Sequence, residues 1–346
     1  MHGLFSRSLV SLWFVLLATM VALSGCLGSG STTSQSSQPS DQKVDGTITV
    51  YSGRNEKLIA PLIERFQKET GVEVKVRYGD TAQLAAAILE EGNNSPADVY
   101  FAQDAGALGA LSSQNKLAKL SDSVFSKVDA KFRSTKGDWV GISGRARTVV
   151  YNTRTLKPEN LPDSILGFTD AKWKGKIGWA PTNGSFQAFA TALVVTQGEE
   201  KAKQWLQGIK ANDPKVYANN TAIVQAVGDG EIEVGFVNHY YLFSFLKEKG
   251  ESFPVRNYHP RSGDVGSMMN VAGAGVLTTA KNAKAAEKFV EYMLSKESQQ
   301  YFADETFEYP LVEGIKTHPA IVPIAQIKLP KVDLAALADL QKTLKL

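Results

Sequence analysis

The chain has 346 residues, of which 43% are hydrophobic and 21% charged, with a formal net charge of +3. This length exceeds what a single hydrophobic core usually supports, so two lobes are expected. Lysines, arginines and acidic residues are mixed along the chain without a basic block, which argues against nucleic acid as a partner. Cys26 is the only cysteine, so disulfides, zinc–thiolate sites and cysteine nucleophiles are excluded together.

The N-terminal segment has the pattern of an export signal. Arg7 precedes an apolar run from Leu9 to Leu23, which is short for a membrane-spanning helix of roughly 20 residues. The sequence Leu23-Ser24-Gly25-Cys26 resembles the lipobox of bacterial lipoproteins; a plain signal peptide with a chance cysteine is the alternative. We expect a signal peptide over residues 1–25 and a lipid on Cys26. The protein would then lie outside the cytoplasmic membrane, at the cell surface or in the periplasm.

Residues 26–45 are mostly Ser, Thr, Gln and Gly, which predicts a flexible tether. Strand and helix patterns then alternate, which predicts a largely parallel sheet with helices on both faces. The predicted strands here are Thr47–Tyr51, Val72–Tyr78 and Ala97–Ala102, and the predicted helices are Glu56–Thr70 and Thr81–Glu91.

The same alternation resumes from Lys176 to Val237, which indicates a second lobe. Two β-rich passages, Trp139–Tyr151 and Ser267–Leu277, are predicted to cross between the lobes. The first lobe would comprise residues 46–148 plus 270–318, and the second 149–269 plus 319–346. Ligands of open α/β sheets bind beyond the carboxyl ends of strands, so the polar residues directly after strands are the candidate site.

A tyrosine pair, Tyr240 and Tyr241, follows the last strand of the second lobe. Phenolates are hard anionic oxygen ligands, which highly charged cations such as ferric iron favour. A tyrosine keeps its proton to about pH 10, so the cation must displace it. At a strand-to-helix corner both rings can reach one point; the alternative is two aromatics packed beneath a loop.

Three of the positions that follow strands are helix starts with Asn, Ser or Thr, and two of these are matched below to anion binding. Those two are Thr182-Asn183-Gly184-Ser185 and Asn219-Asn220-Thr221. Free backbone N–H groups at a helix start favour an anion, although each such residue alone is typical of an ordinary N-cap. Together with the tyrosine pair, they indicate a cation and an anion bound side by side.

From about Gly46 to beyond Pro310 the chain resembles the periplasmic ferric-ion-binding proteins of bacterial iron ABC transporters. The tyrosine pair is the most specific of the shared motifs. The resemblance implies an α/β, two-lobed, type II-like periplasmic-binding-protein fold that closes on Fe(III) with a synergistic anion. The motifs are Ile48–Gly53, Glu69-Thr70-Gly71, Pro96–Val99, Ile142–Arg147, Trp173–Gly178, Tyr217–Asn220, Asn238–Tyr241 and Glu308–Leu311.

The resemblance also implies which residues bind. Tyr240 and Tyr241 match the paired metal ligands. The first lobe departs from the family, with Asn55 where many members have histidine, Gln103 where many have glutamate, and Glu56 where some have a further tyrosine. We keep these three as further metal-ligand candidates. The implied anion-binding residues are Asn183, Gly184, Ser185, Asn220, Asn238 and Asp104, with Arg54 as an additional candidate.

By the same resemblance, the anion would be carbonate, phosphate or citrate, and the partners an ABC permease and its ATPase, with the protein a monomer. Enzyme motifs such as G-x-S-x-G and H-E-x-x-H do not occur, so an enzyme is not expected. His239 is expected to point away from the site, and Arg145 and Arg147 to form internal ion pairs near the hinge. The rival hypotheses are a small organic cation, a phosphonate or another oxyanion in the same fold, and an adhesion module.

Overall fold

A computed structural model describes residues 46–338 of the chain. The predicted signal peptide, Cys26 and the tether lie outside this range. The helices in this range are too short or too polar to span a membrane. The strands are β1 Thr47–Ser52, β2 Glu73–Tyr78, β3 Val99–Ala102, β4 Val140–Asn152, β5 Ile177–Trp179, β6 Lys215–Val216, β7 Val234–Asn238, β8 Val255–Tyr258, β9 Met269–Val276 and β10 Tyr309–Pro310. The helices are α1 Glu56–Thr70, α2 Thr81–Glu91, α3 Ala105–Ser113, α4 Asp122–Phe125, α5 Gly184–Gln197, α6 Glu199–Ala211, α7 Asn220–Asp229, α8 Tyr241–Lys249, α9 Ala283–Met293 and α10 Lys296–Asp304.

The sheet is mixed rather than largely parallel. Its order is β2-β1-β3-β9-β4-β7-β5-β6, and β8 and β10 also pair with β4. The outer strands are parallel, β1 to β2 and β3, and β5 to β6 and β7. The two β-rich passages became β4 and β9, which run antiparallel to their neighbours because they return through the sheet instead of belonging to βαβ units.

β4 connects the two halves of the sheet. Residues Val140–Ala146 pair with β9, and the following residues, from Arg147 to Asn152, pair with β7 and β8. A single strand therefore belongs to both halves, next to the second long strand β9. The fold is the two-lobed α/β architecture that the sequence predicts, with β4 and β9 as the crossing strands.

Helix α1 illustrates how the sequence sets the first half. Ile59, Leu62 and Phe66 lie one helical turn apart on one stripe and are buried. Burying each of them contributes about 1.5–3 kcal/mol of hydrophobic free energy. The helix ends at Gly71, whose φ of 77° is a left-handed conformation that glycine adopts without strain. α1 therefore has the bounds predicted from the pattern, and its N-terminus is fixed beside the end of β1.

An aromatic cluster supports the strand that leads to the tyrosine pair. Phe236 of β7 contacts Phe168 at 5.5 Å and Trp205 at 5.7 Å between ring centroids, and Trp205 contacts Phe189 at 5.3 Å. Aromatic pairs at these distances pack favourably in addition to the area they bury. The carboxyl end of β7 is therefore held rigidly by α5 and α6.

Candidate metal and anion site

The tyrosine pair lies at the corner between β7 and α8. Tyr240 has helical φ and ψ of −71° and −20° directly before the first residue of the helix, Tyr241. The two rings stack with centroids 4.3 Å apart and planes inclined by 27°. Both phenols therefore lie on the same side of the chain, as the strand-to-helix corner predicts.

The environment of Tyr241 keeps its phenol protonated. Burial raises its pKa well above the ordinary value of 10, and the neighbouring Tyr240 raises it further. Arg145 and Arg54 act in the opposite direction, because a positive charge favours the phenolate. Deprotonation of this tyrosine at neutral pH consequently requires a cation close to its oxygen.

Both tyrosines line a cavity of about 920 Å³. Most of the site residues predicted from the sequence also line it. Further lining residues, which the sequence does not predict there, are Lys57, Tyr78, Asp80, Thr81, Arg145, Thr221, Lys247 and Glu305. The predicted residues on this lining are Arg54, Asn55, Glu56, Gln103, Asp104, Asn183, Gly184, Ser185, Tyr240 and Tyr241.

The start of α5 forms one wall of the cavity. Asn183 caps the helix, and its Oδ1 accepts hydrogen bonds from the backbone N–H of Ser185 at 3.1 Å and the Ser185 hydroxyl at 2.6 Å. Space in front of Gly184 is open, since a Cβ placed there would meet no atom within 4 Å. The positive end of a long helix thus faces the cavity, which suits an anion.

Asn220 and Asn238 lie behind that wall rather than on it. Asn220 donates from Nδ2 to Asn183 Oδ1 at 3.2 Å and to Ser185 Oγ at 3.1 Å. Asn238 lines a much smaller neighbouring cavity together with Ser185. These two asparagines therefore position the helix start, and the structure does not bring them to the larger cavity.

A chain of hydrogen bonds runs through the first half of the molecule to Tyr240. Glu308 Oε1 lies 2.5 Å from Arg54 Nη2, and Arg54 Nη1 donates to Gln103 Oε1 at 2.8 Å. Gln103 Nε2 in turn donates to the Tyr240 hydroxyl at 3.3 Å. Burial alone would lower the pKa of Arg54, but Glu308, Tyr240 and Tyr241 together outweigh it, and the pKa is raised. Sequence reasoning missed Glu308, whose only signal was its place in the motif Glu308–Leu311.

Of the other first-lobe candidates, Asn55 and Asp104 cap helices, and Glu56 is exposed at the cavity. Asn55 Oδ1 caps α1 by accepting from the Lys57 N–H at 3.0 Å, and Asp104 Oδ1 caps α3 by accepting from the Ala107 N–H at 3.3 Å. Burial raises the pKa of Asp104, which Arg145 partly offsets. Between residues 46 and 338, no three His, Cys, Asp or Glu side chains gather as a metal cluster.

The prediction of internal ion pairs for Arg145 and Arg147 was wrong. Neither forms a salt bridge with a carboxylate in the described part of the chain. The Arg147 guanidinium instead lies over Phe186 and Phe189, at 5.6 and 5.2 Å from the ring centroids, and donates to the Phe236 carbonyl at 2.9 Å. Aromatic rings of α5 therefore occupy the space that a carboxylate would need, and burial lowers the pKa of Arg147 to about 9.

The arginines give this region a positive character. Buried donors on both guanidinium groups, Nε and Nη1 of Arg145 and Nε of Arg147, have no hydrogen-bond partner among the described residues. Buried cationic donors without partners favour nearby anions and phenolates. The site is consequently suited to bind anionic oxygen.

His239 points away from the cavity, as predicted. Its Nδ1 accepts from the Ala146 N–H at 3.2 Å, its Nε2 lies 2.8 Å from the Phe307 carbonyl, and its ring packs on Tyr309. Burial, with a smaller contribution from His259, lowers its pKa to about 3. Because both ring nitrogens are engaged and neutral, His239 positions the tyrosine corner and is no acid or base for the cavity.

Comparisons with known proteins agree with this geometry. Residues 61–326 match the model of the family described as bacterial extracellular solute-binding protein. The chain is 37% identical over 306 residues to the major ferric iron-binding protein of Neisseria meningitidis, covering 86% of this chain and 91% of that protein. It is 31% identical over 295 residues to the Fe(3+)-binding periplasmic protein of Serratia marcescens, covering 85% and 87%.

This chain belongs to the ferric-ion-binding group of the bacterial extracellular solute-binding proteins. Among solved structures, iron-bound HitA from Pseudomonas aeruginosa superposes with a TM-score of 0.82 at 35% identity, covering 86% of this chain and 97% of that one. The Trichodesmium IdiA (FutA) protein, in complex with iron and citrate, superposes with a TM-score of 0.77 at 30% identity, covering 87% and 98%. Members of this family bind solutes outside the cytoplasm for transport and are not enzymes.

Proposed function

We propose that this solute-binding protein captures Fe(III) together with a synergistic anion in the 920 Å³ cavity. The stacked pair Tyr240 and Tyr241 carries the proposal, since two phenol oxygens on one side of one corner suit a hard trivalent cation. The cavity would lie between a first lobe of residues 46–148 plus 270–318 and a second lobe of 149–269 plus 319–346.

Exogenous oxygens would complete the coordination of the iron. Two phenolates leave one formal positive charge on Fe(III), and Asn55 Oδ1, Gln103 Oε1 and Asp104 Oδ1 already accept hydrogen bonds within the protein. A carbonate, phosphate or citrate ion can supply the missing ligands and charge. The α5 start at Gly184 and the donors of Arg145 would hold it, and Glu56 stays a first-lobe carboxylate candidate for the metal.

Capture would proceed by closure of the lobes about β4 and β9. A ligand stabilises the closed form only through contacts that it makes better there than in the open form. Iron on the tyrosines and an anion contacting both lobes fulfil that condition. Delivery would then go to an ABC permease and its ATPase, from a protein held at the outer face of the membrane by a lipid on Cys26.

The decisive experiment is ferric loading of the purified protein, followed by visible spectroscopy. Phenolate coordination should give a broad ligand-to-metal charge-transfer band. Tyr240→Phe and Tyr241→Phe should each weaken or shift that band. Tyr292→Phe is a matched control outside the cavity, on a residue whose hydroxyl donates to Glu69 at 3.2 Å, and should leave the band unchanged. A colourless wild-type protein after loading would favour an organic cargo instead.

The role of the anion is tested separately. Iron affinity should fall steeply in buffer depleted of carbonate, phosphate and citrate, and recover when one of them is added. Asp104→Asn should have little effect, because that oxygen caps α3. If the wild type binds equally well without added anion, and Glu56→Gln abolishes binding, then Glu56 supplies the ligand that we assign to the anion.

A further inference from the structure

The turn of residues 305–308, between α10 and β10, contains a strained residue. Phe307 has a φ of 56°, a left-handed conformation that bulky side chains rarely adopt, and it lines the cavity of the tyrosine pair. Such a conformation persists only where surrounding contacts determine it, and residues in this state cluster at functional sites. The contacts that hold this turn are therefore informative about the site.

Two contacts fix Phe307 behind the tyrosine corner. Its ring stacks on Phe243 of α8, with centroids 4.9 Å apart and planes inclined by 12°. Its carbonyl lies 2.8 Å from Nε2 of His239, the residue directly before Tyr240. Because His239 Nδ1 accepts from the Ala146 N–H, Nε2 carries the proton and donates to that carbonyl. Phe307 is thus attached both to α8 and to the chain that leads into it.

The next residue of the turn connects to the hydroxyl end of the same tyrosine. The N–H of Glu308 donates to the Phe302 carbonyl at 2.9 Å, and its carboxylate pairs with Arg54 at 2.5 Å. Arg54 holds Gln103, which donates to the Tyr240 hydroxyl. Two consecutive residues of one short turn therefore act on Tyr240, at its backbone end and at its phenol oxygen.

We propose that the turn of residues 305–308 is a positioning element for the tyrosine pair, with Phe307 as its central positioning residue. This inference rests on the iron site proposed above. A metal ion is bound more tightly by ligands that are already held in place, because less conformational freedom is lost on binding. Contacts at both ends of Tyr240 hold the corner in this way, and the strained backbone of Phe307 joins them within one turn.

The test compares Phe307→Leu with Phe253→Leu. Each variant loses one ring of a stacked phenylalanine pair and keeps an apolar side chain. The control pair, Phe245 and Phe253, has centroids 5.2 Å apart, and neither ring is among the described residues that line the cavity. Release of iron from the full chain to an excess of chelator is followed through the ferric–phenolate band.

We expect Phe307→Leu to release iron at least about tenfold faster than the wild type, because a loss of about 1.4 kcal/mol, within the range for an aromatic pair, corresponds to a factor of ten. Its band should also shift, which a loss of packing remote from the metal would not cause. Phe253→Leu should lower the melting temperature but leave the release rate and the band unchanged.

Two further variants separate the ring from the backbone. Phe307→Tyr keeps the ring and should retain the release rate and the band of the wild type. Phe307→Gly lacks the ring but adopts a left-handed backbone without strain. It should therefore fold even if Phe307→Leu does not, and it should still release iron faster than the wild type.

A measurement on the iron-free protein keeps this inference distinct from the proposed function. A wild type without a ferric band would refute the iron site, and NMR signals of the Tyr240 and Tyr241 rings would then decide the positioning role. These signals should broaden in Phe307→Leu, as the corner exchanges among conformations, and stay sharp in Phe253→Leu. Equally sharp signals in both variants would overturn the positioning role. In a wild type that binds iron, so would an unchanged release rate and band in Phe307→Leu.

Discussion

Replacing Glu308 by glutamine tests whether the buried ion pair behind Tyr240 stabilises the fold. The Glu308 and Arg54 side chains are each 0% exposed and their charged atoms lie 2.5 Å apart. Glu308 also accepts a short hydrogen bond from the Ser143 hydroxyl. Glu308→Gln preserves the shape of the side chain but leaves the Arg54 charge buried without a counter-ion.

The expected destabilisation is large. Breaking a buried ion pair on one side costs about 3–5 kcal/mol, because the remaining charge is neither solvated nor paired. For a chain of this size, roughly 2 °C of melting temperature is lost per kcal/mol, so a decrease of about 6–10 °C is expected. The double variant Arg54→Met with Glu308→Leu should recover most of this loss, since it removes both charges together.

The assay is thermal unfolding of the iron-free protein, followed by circular dichroism. Glu291→Gln is the matched control, because its 2.9 Å ion pair with Lys127 is partly exposed, with side-chain exposures of 46% and 33%. That pair should contribute less than about 1 kcal/mol. The reasoning fails if Glu308→Gln melts with the wild type, or if the double variant is no more stable than Glu308→Gln.

The remaining predictions concern protons and the membrane. Burial lowers the pKa of His239 to about 3 and that of His259 to about 4, so below pH 6.5 both take up a proton in the unfolded chain but not in the folded protein. The free energy of unfolding should therefore decrease as the pH is lowered. From pH 7 to pH 5, each histidine should lower the free energy of unfolding by about 2 kcal/mol. Chemical unfolding of His239→Gln should therefore depend less on pH than unfolding of the wild type. The pKa of Tyr241 is raised, so this phenol is protonated before iron binds and ferric loading should release its proton. Calorimetry in buffers of different ionisation enthalpy measures this release, and the affinity for iron should weaken as the pH is lowered. Cys26→Ala should move the protein from the membrane fraction to the soluble fraction or block its processing, and unchanged partition would contradict lipidation.

Local signals in the sequence were sufficient for the elements and for the tyrosine corner. Helices α1 and α2 have their predicted bounds, because a periodic apolar stripe and a terminal glycine are read within one segment. Asn183 is also predicted locally, because an asparagine directly before a helical pattern is a typical N-cap. The stacked tyrosines followed from the change of strand to helix within six residues of chain, Phe236–Tyr241.

Long-range contacts were the part that sequence reasoning could not supply. Arg54 and Glu308 are 254 positions apart, and no local pattern pairs them. Arg145 and Arg147 were expected to find carboxylates, because charged residues in a buried strand usually need them. The structure places rings of α5 against Arg147 instead, and a cation–π contact of this kind has no short-range signature.

In the proposed site, these long-range contacts would let the first lobe serve the metal although it lacks the ligands that the resemblance to the family implies. Gln103 is held by Arg54 and donates to the Tyr240 oxygen. A neutral amide in that place adds no charge to the metal, but it orients the phenol and leaves the Arg145 donors free for an anion. The proposed division of roles follows: the second lobe would supply the anionic ligands, and the first lobe would supply cationic donors. Gln103→Glu tests it, because a carboxylate there would compete with the anion and should make iron binding less dependent on added citrate or phosphate. Gln300→Glu, on α10 and half-buried outside the cavity lining, is the matched control. If Gln103→Glu leaves the anion dependence unchanged, this division of roles is wrong.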